Sequence, residues 1–171
     1  MNKAGIAALI LLAAPTAGAA DVNMGHHNTD APIQVAADQF TADMNSKSGT
    51  YSGNVVVTQA DFKLRANTVR VNIIGSKPDK IVANGTVVFS SPSGIATGDA
   101  AVYDVGPRMI TFTGRVVLTK DKNVMRGSNL RVNLVTGQAT LNAAGSKLGG
   151  GRVQGIFTPP PQSNSGTKPN P

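Results

Sequence analysis

A chain of 171 residues is long enough for one domain with tails and can bury a core without disulfides or metals. It has no Cys, Glu or Trp; all nine acidic residues are Asp, and sixteen Lys and Arg give a net charge of +7. The lack of Cys excludes a disulfide scaffold and thiol chemistry, abundant Val, Thr, Gly and Asn favour strands and turns over helices, and the excess of cations suits an anionic partner.

Residues 1–20 have the makeup of an export signal: Lys3, an apolar run from Ile6 to Ala14, and the small residues Ala17-Gly18-Ala19-Ala20 before an expected cut near Ala19 or Ala20. A retained membrane anchor is the alternative, although the run falls short of the roughly 20 apolar residues that a spanning helix needs. Cleavage leaves fifteen cations against nine Asp, a charge of +6, on a chain expected to be soluble outside the cytoplasm. Export sets nucleic acid aside as a partner, and five Phe with two Tyr offer few surfaces on which bases would stack. Residues 21–30 read as a flexible leader. They hold both histidines, His26 and His27, which on a free tail make at most a casual metal contact.

From residue 31 to 157, apolar segments alternate with turn clusters, and roughly nine strands are predicted between Pro32 and Phe157. The turns fall at Ser46-Lys47-Ser48-Gly49, at Gly75 to Asp79, at Ser91 to Gly94, at Gly106-Pro107, at Asp121 to Asn123 and at Thr136-Gly137. Within this stretch Ser52-Gly53-Asn54-Val55-Val56-Val57-Thr58 returns as Asn84-Gly85-Thr86-Val87-Val88-Phe89-Ser90 and as Thr113-Gly114-Arg115-Val116-Val117-Leu118-Thr119. A second arm follows each copy: Leu64 to Val71, a looser Ala96 to Tyr103, and Met125 to Val132. Val35 to Phe40 stands alone at the front.

In the second arm, Leu64 and Ala66 share one strand face, whereas Val69 and Val71 have the opposite parity, and Met125/Gly127 against Leu130/Val132 repeats the switch. A bulge or corner is therefore predicted at Ala66-Asn67, Gly98-Asp99 and Gly127-Ser128, which makes the fold a stack of bent antiparallel strands with an apolar inside. Lys63, Arg65, Arg70, Arg126 and Arg131 then point outward. Composition leaves two outcomes open: a narrow interior filled by side chains, or one short of bulk and partly open to a ligand. No catalytic, cofactor or metal site is expected, because the chain lacks a Gly-x-Ser-x-Gly elbow, an HExxH motif and a phosphate-cradling loop. Residues 158–171, rich in Pro, Ser and Asn, read as a disordered tail.

Thr29 to Asp38 followed by Asp43-Met44, then Thr50-Tyr51-Ser52-Gly53-Asn54-Val55-Val56-Val57-Thr58-Gln59, resembles the opening of the OstA-like family of lipopolysaccharide-transport proteins of Gram-negative bacteria. The later arms and Gly151 to Phe157 are similar in kind, so the likeness spans about residues 29 to 158. The resemblance implies an all-β fold, an open, twisted β-jellyroll in the periplasm, not an enzyme, whose groove holds the acyl chains of lipid A. It also implies head-to-tail homo-oligomers that link a bitopic inner-membrane transport component to an outer-membrane insertase. The family's groove contacts fall on Thr29, Ile33 and Val35 near the N-terminal opening and on Phe89, Tyr103 and Val105 in the middle of the chain. Val55, Val57 and Leu118 are expected deeper in the groove, with ordinary core packing as the alternative for every one of the nine. Lys47, Lys120 and Lys122 are candidates to meet lipid phosphates, and the edges expected to join copies are Pro32 to Phe40 at the front and Gln138 to Leu141 or Arg152 to Phe157 at the back. The Gly145 to Gly151 connection is longer and more flexible than the family's, which puts the C-terminal joint in doubt. Two other readings stay open: an exported structural or adhesive β-stack that binds envelope polymer or protein, and a carrier of another amphiphile.

Overall fold

The computed structural model describes residues 20–23, 28–143 and 151–158. The signal-like stretch, the Gly-rich connection before Gly151 and most of the Pro-rich tail lie outside them. The described residues contain no helix and form one eleven-stranded antiparallel sheet. Its strands are β1 (Ala20–Asn23), β2 (Gln34–Ala36), β3 (Gln39–Asp43), β4 (Ser48–Gln59), β5 (Phe62–Ile74), β6 (Lys77–Ser91), β7 (Gly94–Asp104), β8 (Met109–Lys120), β9 (Asn123–Asn133), β10 (Gln138–Asn142) and β11 (Gln154–Ile156). β4 to β10 pair in sequence order, β2 and β3 share the outer side of β4, β10 and β11 share the outer side of β9, and β1 closes the row against β10.

Every long strand bends at one level, and the bend explains the repeat. Between β4 and β5 the register passes from Ser52↔Thr68 to Val55↔Ala66, so Gly53 and Asn54 stand opposite Asn67 alone. Gly85-Thr86 stands opposite Asp99 alone and Gly114-Arg115 opposite Ser128 alone, and on their other sides three residues, 85–87 and 114–116, face two, Ala66-Asn67 and Gly98-Asp99. The irregularity therefore lies at the predicted level, but the extra residue sits on the Gly-x arm and not on the second arm. The reason is conformational. Gly53, Gly85 and Gly114 have φ of 77°, 79° and 95°, in the left-handed region, and Asn54 and Thr86 follow at 46° and 45°. Two left-handed residues let the first arm keep its inward parity while its partner flips.

The front segment obeys the same rule. Its sequence reads as one strand, Pro32 to Phe40, whereas the structure breaks it at Ala37-Asp38 into β2 and β3, with the Asp38 amide donating to the Gly53 carbonyl at 3.0 Å. The leader differs from the irregular tail expected, because residues 20–23 add β1 to the sheet.

The corner divides the sheet into two half-sheets that fold onto each other. The near half holds 55–59, 62–66, 87–91, 94–98, 116–120 and 123–127 with β2 and β11; the far half holds 48–52, 68–74, 77–84, 100–104, 109–113 and 129–133 with β3, β10 and β1. Their inner faces supply the core, including Val55, Leu64, Val87 and Leu118 from the near half and Val69, Ile81, Phe112 and Leu130 from the far half. The halves are out of step. Near-half Phe89 on β6 meets far-half Phe112 on β8 at 5.8 Å between ring centroids, and Phe62 on β5 stands edge-on to Phe89 at 4.9 Å. Burying each ring contributes about 1.5–3 kcal/mol, and each ring pair adds about 0.5–1.5 kcal/mol. Because near-half strands sit over far-half strands two places further along, the far half of β3, β4 and β5 reaches past its cover.

Candidate functional site

Two apolar spaces lie on the inner face of β4 and β5. The first is a residual void of about 40 Å³ between the half-sheets, lined by Ile33, Val57, Gln59, Phe62, Leu64, Ile81, Phe89, Tyr103, Ile110 and Leu134. It has room for only a few waters. The three Phe rings fill the centre, so of the two outcomes left open by composition the structure takes the narrow interior. The second is a hollow of about 420 Å³ where the far half overhangs, lined by Phe40, Met44, Lys47, Gly49, Tyr51, Val71 and Ile73 among others. Met44 is 85% exposed and Phe40 55%, while the Phe40 ring leans on Tyr51 at 4.7 Å and covers Gly49, which leaves no room for a Cβ there. Sequence reasoning missed this hollow, whose only local signal is the crowding of Phe40, Met44 and Ile73 near turns.

A polar clasp closes the mouth of the first void. The buried Gln59 donates through Nε2 to the carbonyls of Thr29 and Ala31, both at 2.9 Å. Asp30 between them receives Arg108 Nη2 at 2.6 Å. The chain from Thr29 to Ile33 thus crosses the mouth as a strap, tied to the β4–β5 turn on one side and the β7–β8 turn on the other. Beside it, burial pushes the Tyr103 phenol above its usual pKa, opposed by the charge of Arg108 and a hydrogen bond with Gln59.

Of the nine expected groove residues, Ile33, Val57, Phe89 and Tyr103 line this one void. Val35 and Val105 are half-buried at the edge of the core, and Val55 and Leu118 are fully buried within it. Thr29 takes part through its backbone carbonyl. Missed were Phe62, Leu64, Ile81, Ile110 and Leu134. The parity of the second arm already turns Leu64 inward, but its meeting with residues of β6, β8 and beyond depends on the offset between half-sheets, which no local pattern encodes. The five arm cations, Lys63, Arg65, Arg70, Arg126 and Arg131, are all exposed, as the alternation requires. Lys47 lies on the rim of the hollow, whereas Lys122 is exposed beside the last strand and Lys120 is half-buried. Among the described residues no group of three His, Cys, Asp or Glu converges as a metal site would need. The arrangement can hold apolar matter and, at its rims, anions.

Residues 34–138 match the family described as LptA/(LptD N-terminal domain) LPS transport protein. The chain is 30% identical over 157 residues to an uncharacterized protein of Rhizobium meliloti (strain 1021), covering 85% of this chain and 84% of that one. It is 26% identical over 143 residues to the lipopolysaccharide export system protein LptA of Escherichia coli (strain K12), covering 77% and 74% of the two. Among solved structures it is similar to LptH, the LptA homologous periplasmic component of the lipopolysaccharide transport device from Pseudomonas aeruginosa, with a TM-score of 0.66, 20% identity, and coverage of 77% of this chain and 98% of that chain. At that identity the likeness is one of fold.

Proposed function

The chain belongs to the LptA and LptD N-terminal domain family of lipopolysaccharide transport proteins, transport components and not enzymes, and from that premise we propose that it carries lipid A acyl chains along its inner face. The observation that carries this reading is the uncovered apolar hollow at Phe40, Tyr51, Val71 and Ile73, on the inner face of a sheet that bends without closing into a barrel. Transfer needs no bond chemistry. Acyl chains leave one apolar environment for another, each worth about 0.8 kcal/mol per methylene withheld from water, so a route works when water stays out and no station binds far more tightly than the next.

In this reading the exported chain loses its first twenty residues and works in the periplasm. Ile33, Val57, Phe89 and Tyr103 touch acyl chains once the half-sheets part at the strap; Thr29, Val35 and Val105 frame the mouth, and Val55 and Leu118 form the floor. Lys47 offers its ammonium to a lipid phosphate above the hollow. Copies join end to end between a bitopic inner-membrane component and an outer-membrane insertase.

The filled centre favours a second reading, a structural stack that holds no lipid. Mass spectrometry of protein purified from cell envelopes separates the two. Co-purifying lipid A, or saturable uptake of added lipopolysaccharide, is expected; a lipid-free sample that refuses added lipopolysaccharide overturns the carrier reading.

A further inference from the structure

The two ends of the sheet are matched pieces. At the front, the outer side of β4 carries β2, of three residues, on the near half and β3, of five, on the far half. At the back, the outer side of β9 carries β11, of three residues, on the near half and β10, of five, on the far half. Polarity agrees as well. β4 and β10 are separated by an even number of antiparallel steps and run the same way, so a second copy placed by translation would bring its β3 antiparallel to β10 and its β2 antiparallel to β11. The overhang adds a third match, because the far half protrudes at the front, where Phe40 and Met44 are exposed, and the near half ends at the back with Ile156 and Phe157 exposed at 65% and 67%.

The place that β3 of a second copy would take beside β10 is occupied by the chain's own β1. Ala20 to Asn23 pairs antiparallel with β10 in the register Ala20↔Leu141, Asp21↔Thr140, Val22↔Ala139 and Asn23↔Gln138. We infer that the leader strand is a built-in blocker of the back edge, an imitation of the next copy's β3 that must leave before end-to-end pairing can begin. An unpaired edge is a template for unwanted association, and a short plug of the same chain, Asp21 to Asn23 once the first twenty residues are gone, covers it at small cost. A strand this short is also readily displaced by a longer one that brings β2 and an apolar overhang with it. Assembly is then weakened by the fraction of time that the edge is covered. This inference rests on the end-to-end reading above.

Sedimentation velocity over a range of concentrations tests it, together with disulfide capture between copies in a chain that has no native Cys. Val22→Pro puts a proline in the middle of β1, which weakens its pairing with β10, and is expected to lower the concentration for half-association by about tenfold. Val22→Cys with Ala139→Cys, registered partners in the sheet, ties the leader down when oxidised; that protein is expected to stay monomeric and to associate again on reduction. Mixing Thr41→Cys protein with Thr140→Cys protein reports the joint itself, since each is the central residue of its five-residue strand, and the yield of linked pairs should rise when both also carry Val22→Pro. If linked pairs form but neither Val22→Pro nor the oxidised tether changes association, the blocker is refuted while the joint survives. If no linked pair forms in any variant, the end-to-end reading fails and takes the inference with it. Should Val22→Pro misfold by circular dichroism, the tethered pair decides alone.

Discussion

The glycine of each Gly-x-Val-Val copy answers two constraints at once. Its φ is left-handed, and a Cβ on Gly53, Gly85 or Gly114 would fall on the side chain of Asp38, Asn67 or Asp99 from the adjoining strand. Gly85→Ala should therefore cost about 2 kcal/mol in urea denaturation, from backbone strain and the collision together. The residue after the glycine is the less legible half of the corner, because Asn54, Thr86 and Arg115 share no chemistry. Asn54 suits a left-handed φ and donates to Asp38 at 2.8 Å, whereas Thr86 is β-branched at φ 45° and strained. Replacing Thr86 by Asn is expected to stabilise the protein by about 1 kcal/mol, read in the same denaturation series. Asp99 accepts from the Arg115 amide at 3.2 Å and from its guanidinium at 2.9 Å, and these bonds hold its pKa below the ordinary 3.8. A carboxylate with a depressed folded pKa adds stability above its unfolded value and loses it as pH falls through the folded one. Asp99→Asn should thus be less stable than the parent at neutral pH, with the gap closing below about pH 4.

At the scale of the strand, the parity switch from Ala66 to Val69 announced a corner without saying which arm held the extra residue, since either placement satisfies alternation. The solitary front segment concealed a corner of its own, because Ala37-Asp38 looks like Ala66-Asn67 only once Gly53 is seen to face both. The turn at Ala60-Asp61 went unpredicted for a chemical reason: Ala60 has φ 50° with none of the side-chain chemistry that marks a turn. The strap was legible as a family likeness around Thr29 to Ile33, but its fastening was not, since Gln59 and Arg108 lie 30 and 78 positions from their partners. Gln59→Leu leaves the carbonyls of Thr29 and Ala31 without that amide and should destabilise the fold by about 1–3 kcal/mol. Hydrogen exchange should then quicken at the amides of β2 and leave those of β6 to β8 as they were.

For the molecule as a whole, repetition in the sequence dictated a bent stack, and the offset of its halves decides what the stack can do. Phe62, Phe89 and Phe112 seal the centre against water, so lipid passage requires the half-sheets to part, and an open sheet tied at its mouth by one short strap permits it. Phe89→Ala should cost the lipid-free protein about 3–5 kcal/mol in thermal or urea unfolding, and lipopolysaccharide should restore part of that loss by binding the folded state alone. The most direct measurement of the carrier account is site-specific photo-crosslinking in cells that make lipopolysaccharide, with a photoreactive residue placed at Ile33, Val57 or Phe89 and, as a control, at the outward Arg70. The account predicts lipopolysaccharide adducts from the three inner positions and none from Arg70. Adducts at Arg70 with none at the inner positions would contradict it.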